Sequence, residues 1–190
     1  MRLLAKPIMK EKYQDKYRIQ SNRLKGWDYS DVGYYYITIC TKDRTNYFGK
    51  ITNGLMQLSE IGIILKSEWL RTPIIRKDMN VGLDEFIIMP NHIHGIIIIN
   101  GDGMESKRDV CNTSLQPASN SISSIVRGVK ASVTSKARKI NPKFGWQANY
   151  YDHIIRNEKS LYEIRKYIID NPLKWELDKY NNSNYNHENT

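Results

Sequence analysis

Two of the four histidines in this chain, His92 and His94, stand one residue apart in MPNHIHGIIII, residues 89–99, inside a nearly unbroken apolar run. Runs of this kind fill buried strands, where a titratable ring is costly unless something binds it. Side chains alternate along a strand, so both imidazoles project to one side and Ile93 to the other. Two neutral imidazoles on one face can converge on a single small target, and a divalent cation is a common partner of imidazole nitrogen. A hydrogen-bonded pair of histidines at a strand end satisfies the same spacing. Two ligands do not complete a metal site. No cysteine is near in sequence; His153 belongs to another segment and His187 to the C-terminal tail.

Further donors lie in SLYEIRKYIIDNPLKW, residues 160–175. Leu161, Ile164 and Ile168 form an apolar helical stripe. Tyr167 and Asn171 are four residues apart, hence neighbours on one helical face, and at ~100° per residue they flank Ile164 at the border of that stripe. From a half-buried border, Asn171 can offer an amide oxygen to a hard divalent ion, with Tyr167 one turn away. Taken alone, a helix-flank tyrosine in a chain with 13 tyrosines is ordinary packing.

The scaffold for these residues is written in alternating signals. Residues 1–32 form a basic, tyrosine-bearing arm that includes Arg23 and Lys25. From Gly33 the run GYYYITICT predicts a strand, and KDRTNYFGKITNG reads as a loop. A helix is expected from an N-cap at Ser59, stopped by Pro73. Residues 82–89 predict a second strand and Pro90-Asn91 a turn. The 92–99 strand is apolar on both faces, which places it inside a sheet. Residues 101–120 read as a flexible connection. In the 121–140 helix, Ile122, Ile125, Val126, Val129 and Val133 form the apolar face, and Arg127, Lys130, Lys136, Arg138 and Lys139 mostly fall away from it. A fourth strand spans 150–156. The last helix starts near Asn157 or Ser160, where Ser160 and Glu163 have capping-box form, and should end at Asn171 because Pro172 disfavours helical geometry there. Residues 177–190 read as a disordered tail. The order β-α-β-β-α-β-α requires an α+β, ferredoxin-like antiparallel sheet with helices mainly on one face, as one domain over 33–176.

Composition narrows the function classes. Twenty-nine Lys and Arg against twenty Asp and Glu give a formal charge of +9, which favours a polyanionic partner, nucleic acid or an anionic membrane surface. No apolar segment approaches the ~20 residues of a spanning helix, and the N-terminus lacks the apolar region of a signal peptide. Cys40 and Cys111 form no CxxC pair, so neither a disulfide framework nor a thiolate zinc site is indicated. A cytoplasmic location is expected.

MPNHIHG, YYDHIIRNEKSL and YIIDNPLKW, in this order, resemble the HUH single-tyrosine transposases, and most closely the REP-associated tyrosine transposases. RLKGWDYSDVGYYYITICTKDR resembles their first-strand region, so the similarity covers roughly residues 20–176. The resemblance implies an HUH-type catalytic domain in which His92 and His94 bind Mg2+ or Mn2+, Asn171 completes the metal site where insertion-sequence relatives carry glutamine, and Tyr167 is the nucleophile. It implies single-stranded or hairpin DNA as substrate, cleaved and rejoined through a 5′-phosphotyrosyl link, on nucleoid DNA, by a monomer or homodimer. Arg127, Lys130, Lys136, Arg138 and Lys139, with Arg23 and Lys25 of the arm, are the expected phosphate-gripping residues. His153, within the shared YDHxIR stretch, has no assigned role. The competing expectations are a nucleic-acid-binding module without chemistry, a replication-initiation or relaxase nuclease of the same class, and a metal-dependent hydrolase that uses water.

Overall fold

The computed structural model describes residues 28–101 and 121–177. Arg23, Lys25 and nearly all of the basic arm lie outside the described residues, as do the 101–120 connection beyond Gly101 and the tail from 178.

Four strands build the central sheet: β1 (Gly33–Cys40), β4 (Val81–Ile88), β5 (His92–Ile99) and β6 (Tyr151–Ile155), in the order β4-β5-β1-β6 with every neighbouring pair antiparallel. The His-x-His strand is therefore interior, as its two-sided apolarity predicts. Helices α1 (Glu60–Leu70) and α3 (Ile122–Ala137) cover one face. There Tyr35, Ile37 and Ile39 of β1 and Ile93, Ile97 and Ile99 of β5 meet Leu65 and Trp69 of α1 and Ile125, Val129 and Val133 of α3. On the other face Tyr36, Ile96 and Ile155 pack against Leu161, Ile164 and Ile168 of α4 (Glu158–Asp170). This is the ferredoxin-like arrangement, with two long helices on one face and α4 on the other.

Two local features differ from expectation, and a third, the end of α4, matches it in position but not in backbone geometry. The segment read as a loop after β1 contains a second, two-stranded sheet, β2 (Gly49–Thr52) and β3 (Leu55–Leu58). Its turn residues Asn53 and Gly54 have φ of 53° and 72°, and an Asn-Gly pair with positive φ at both positions is a strong hairpin signal. Four-residue strands are too short for alternation to reveal them. Ser59 caps α1 as expected, accepting from the Gly62 N–H at 3.1 Å, but α1 ends at Leu70 and Pro73 falls in the first turn of a short α2 (Thr72–Ile75). Finally, α4 is capped by Asn157, whose Oδ1 accepts from the Ser160 N–H at 2.8 Å. Its C-cap Asn171 keeps helical geometry (φ −58°, ψ −42°), and a 3-10 helix continues over Asn171–Leu177. Pro172 is tolerated at the start of this new turn, where its missing N–H has no intrahelical duty.

α4 is tied to the sheet by charge as well as packing. Arg165 donates from Nε and Nη2 to both carboxylate oxygens of Asp84, on β4 where its register shifts between Leu83 and Phe86. The hydrogen bonds from Arg165 hold the Asp84 carboxyl below the usual carboxylate range. Beyond α4, the hairpin tip reaches the 3-10 turn: a Cβ on Gly54 would lie 2.7 Å from Leu173 Cδ2.

Two outcomes follow for stability. A Cβ on Gly95 would meet Trp69 Cζ2 at 2.5 Å and Phe86 Cβ at 3.1 Å, and Trp69 is fully buried. Gly95→Ala should therefore cost about 1–3 kcal/mol, the usual range for overpacking, read as a lower urea midpoint at unchanged slope. Because the Asp84 pKa is depressed in the folded state, its contribution is present above the unfolded carboxylate pKa and is lost as pH falls through the folded value. Acid unfolding of Asp84→Asn below about pH 4 should be shallower than that of the parent; identical acid limbs would remove Asp84 from the account.

Candidate active site

β5 presents His92 and His94 to the α4 side of the sheet, both fully or almost fully buried. Their Nε2 atoms are 2.9 Å apart. His92 Nδ1 lies 2.8 Å from Asn91 Oδ1. The amide of Asn91 donates from Nδ2 to the Arg44 carbonyl, which turns its oxygen to the ring and places the imidazole proton on Nδ1. His92 Nε2 is then the acceptor in the bond to His94, whose Nε2–H donates. His94 Nδ1 sits 2.7 Å from the Tyr36 hydroxyl and 2.8 Å from Thr38 Oγ1, two groups that can donate or accept. Burial pushes His92 well below its ordinary pKa, and His94 and Arg44 add to the shift, so this ring is neutral at physiological pH.

The α4 segment lies over the pair. The Tyr167 ring is 5.3 Å from that of His94 and 6.4 Å from that of Tyr36, close to edge-on to Tyr36, and the side chain is 41% exposed. Trp175 reaches His92 at 6.0 Å between ring centroids. Asn171 lies between these two contacts along the chain; it is buried, and its Oδ1 has no hydrogen-bond partner. An orphaned buried oxygen costs about 1–3 kcal/mol, so its presence needs a reason.

These donors fit a divalent cation. Two ligands in adjacent octahedral positions, each about 2.1 Å from the ion, stand ~3.0 Å apart, close to the observed separation of the Nε2 atoms. Each ring has a partner at its other nitrogen, as metal-bound imidazoles do. Among the described residues no three His, Cys, Asp or Glu side chains cluster to hold a metal; the unsatisfied Asn171 oxygen is a further donor of a kind that a hard divalent ion accepts.

Beside the pair a cleft of ≈ 510 Å³ is lined by Tyr36, Thr38, His94, Tyr151, His153, Ser160, Ile164 and Tyr167. Sequence reasoning did not find Tyr36, Thr38, Tyr151 or Asn91 as parts of this site. The first three emerge only from strand register, which sets Thr38 opposite both His94 and Tyr151, and Tyr36 opposite His153. The basic residues expected to grip phosphate lie on or just beyond α3, across the sheet from the histidines. Arg127, Arg138 and Lys139 are exposed, and Arg127, Lys130 and Arg138 border one open surface. Lys130 points its ammonium at the carbonyls of Gln147 and Asn149, at 2.7 and 3.1 Å, and burial lowers its pKa to about 8. Lys136 is paired with the buried Glu68, which also accepts from Arg71 and Ser132. The structure thus brings together Tyr167, His92 and His94, sets the buried Asn171 between Tyr167 and Trp175 on the same segment, and leaves the basic set apart from them.

The fold is that of a REP-associated tyrosine transposase: a solved structure described as that protein bound to a REP hairpin superposes with a TM-score of 0.55, over 82% of this chain and 74% of the other, at 18% sequence identity. The nearer likeness is in sequence. An uncharacterized protein of Haemophilus influenzae is 45% identical over 170 residues, 84% of this chain and 91% of its own length. This chain belongs to the same family as that Haemophilus protein. No protein-family model matches.

If the Asn171 oxygen is unsatisfied in the metal-free protein, replacing the amide by an apolar side chain of similar size relieves it. Asn171→Leu in EDTA should be about 1 kcal/mol more stable than the parent, measured by urea unfolding. A clear loss of stability would show that the amide is already paired.

Proposed function

We propose that this protein is a DNA transposase that cuts and rejoins single-stranded or hairpin DNA with Tyr167 as nucleophile. One observation carries the reading: a half-exposed tyrosine stands edge-to-face on one of two buried histidines whose Nε2 atoms converge, and a buried amide oxygen without a partner follows one turn later on the same segment. The transposase fold and the excess of positive charge support it.

His92 and His94, through Nε2, and Asn171, through Oδ1, would hold a magnesium or manganese ion, which when bound supplies Lewis-acid polarisation of a phosphate and helps to lower the phenol pKa. The protein supplies the rest. Asn91 fixes the tautomer of His92, and Tyr36 with Thr38 orients His94. Tyr36 also packs edge-on against Tyr167, which limits the swing of the phenol. Tyr167 loses its proton to solvent, and its oxygen attacks the scissile phosphorus. The P–O3′ bond breaks, the leaving 3′-oxygen takes up a proton, and the 5′-phosphate stays on Tyr167. Because that link is a phosphodiester, the 3′-hydroxyl of another strand can attack it in turn and release the tyrosine, joining DNA without ATP.

Purified protein mixed with end-labelled hairpin DNA should give an SDS-resistant protein–DNA adduct in manganese, none in EDTA, and none with Tyr167→Phe. Cleavage that persists in Tyr167→Phe would transfer the role of nucleophile to water and make the protein a hydrolase. In parallel, manganese should raise the unfolding temperature of the parent by a few degrees, through binding to the folded state alone. His94→Ala should abolish that shift, and an equal shift in both proteins would move the metal elsewhere.

A further inference from the structure

α4 does not cover the whole of its sheet face. Its link from Arg165 to Asp84 holds it toward β4, and Ile164 and Ile168 seat it near Ile96 and Ile155. Of the edge strand β6 only Ile155 packs under α4; the face at Tyr151 and His153 is left open, and that opening is the cleft beside Tyr167. Two β6 side chains line it, Tyr151 and His153.

Both are unusual residents of a sheet face. Tyr151 is 49% exposed and meets Tyr36 in a T-shaped contact at 6.2 Å and 69°, so about half of the side chain is open to a second ring. His153 is exposed, and among the described residues no hydrogen bond, ion pair or ring contact holds it. Two positions apart on one strand, they stand ~6.7 Å from each other. That is about twice the ~3.4 Å rise of a stacked DNA strand, which suits a strand whose bases have been pulled apart. Aromatic rings on an open sheet face are the usual platforms for such bases. The surroundings are basic. Arg156 and Lys159 are exposed at the turn from β6 into α4, and α3, whose Lys130 meets the segment leading into β6, carries the exposed Arg127 with Arg138 just beyond its end.

We propose that Tyr151 and His153 form the docking platform for a single DNA strand, Tyr151 stacking a base and His153 donating a hydrogen bond to the phosphate of the adjacent nucleotide. The platform deepens the transposase reading, since a strand laid along β6 runs directly to Tyr167 and His94. It also gives the α3 cations a use: the strand, passing over the β6 edge, meets Arg127 and Arg138 on the far side. Lys130, bound to the carbonyls of Gln147 and Asn149, anchors the segment that leads into β6 and so steadies the platform from behind.

The test separates binding from chemistry. Full-length Tyr167→Phe protein in EDTA is titrated into a fluorescein-labelled single-stranded oligonucleotide and followed by anisotropy at fixed salt. Adding Tyr151→Ala should weaken binding about tenfold or more, the usual effect of removing a stacking platform, whereas Tyr151→Phe should stay within about twofold because the ring remains. His153→Ala should weaken binding several-fold, and His153→Gln, which keeps a donor, should recover most of it. Affinity for blunt duplex DNA should change little in any variant. The proposal is overturned if Tyr151→Ala and His153→Ala bind single strands as the parent does, or if duplex binding falls by the same factor. Both side chains are exposed, so the alanine variants should keep the parent's unfolding midpoint; if one does not, the Phe and Gln variants decide. Failure here with a metal-dependent adduct still forming leaves Tyr167 as the nucleophile. Platform-dependent binding without any adduct sinks the transposase reading and keeps the platform.

Discussion

The candidate site rests on the burial of two imidazoles in an interior strand. β5 is paired on both sides, by β4 and β1, so its backbone is saturated and its register is fixed by two ladders at once. An edge strand would leave the rings to solvent and let the strand slip. A slip of one residue would send both histidines into the α1–α3 core and bring Ile93 out beneath Tyr167. The isoleucines at 93 and 97, fully buried on the opposite face, make that slip prohibitive. The same hydrophobic packing that forms the core therefore holds two ring nitrogens in position, and burial keeps at least the His92 ring neutral and able to bind.

Polar groups around the rings follow from this burial. A neutral imidazole away from water needs partners for both nitrogens, and these come from the nearest backbone-fixed groups: Asn91 in the turn before the strand, Tyr36 and Thr38 across the ladder. What stays unsatisfied is instructive. Of the two buried side-chain atoms without a partner among the described residues, one is Trp69 Nε1, in the core against Gly95, and the other is the Asn171 oxygen, on the segment between Tyr167 and Trp175. I,i+4 spacing put Asn171 one turn from Tyr167; its buried, unpaired oxygen adds a reason to regard this C-cap residue as a ligand.

The interior position of 92–99, the common face of the histidines, the apolar face of the 121–140 helix and the Leu161–Ile164–Ile168 stripe were all legible from periodicity, because each is a long element whose buried face repeats. The β2–β3 hairpin was missed although Asn53-Gly54 announces it, since four-residue strands with half-buried sides offer no periodic signal. Pro172 placed the end of α4 correctly, at Asn171, but did not reveal that Asn171 itself keeps helical φ and ψ as the chain turns into a 3-10 helix. The roles of Tyr36, Thr38 and Tyr151 depend on which strands pair and in what register, which one-dimensional spacing does not contain. For the basic residues of α3, helical spacing showed correctly that they lie off the apolar stripe. It did not show that Lys136 meets a buried glutamate and Lys130 a run of carbonyls, because those partners come from distant segments.

α4 itself is held by few apolar contacts. Ile168 is its one fully buried large side chain, while Tyr162 and Ile169 are largely exposed. A helix with so narrow a buried stripe would rock on the sheet if packing were its only restraint. It is instead fastened at separated points: Arg165 to Asp84 near its middle, and beyond its C-terminus Trp175 against His92 and Leu173 against the hairpin tip. Tyr167 lies between these fastenings. A side chain carried between two fixed points can keep a defined distance to His94 while its outer edge stays in solvent, as the role proposed for Tyr167 requires. The fastening to β4 has a second consequence, since a helix drawn to one side of the sheet necessarily uncovers the other. The anchoring of the tyrosine and the opening of the cleft beside it are two results of one placement.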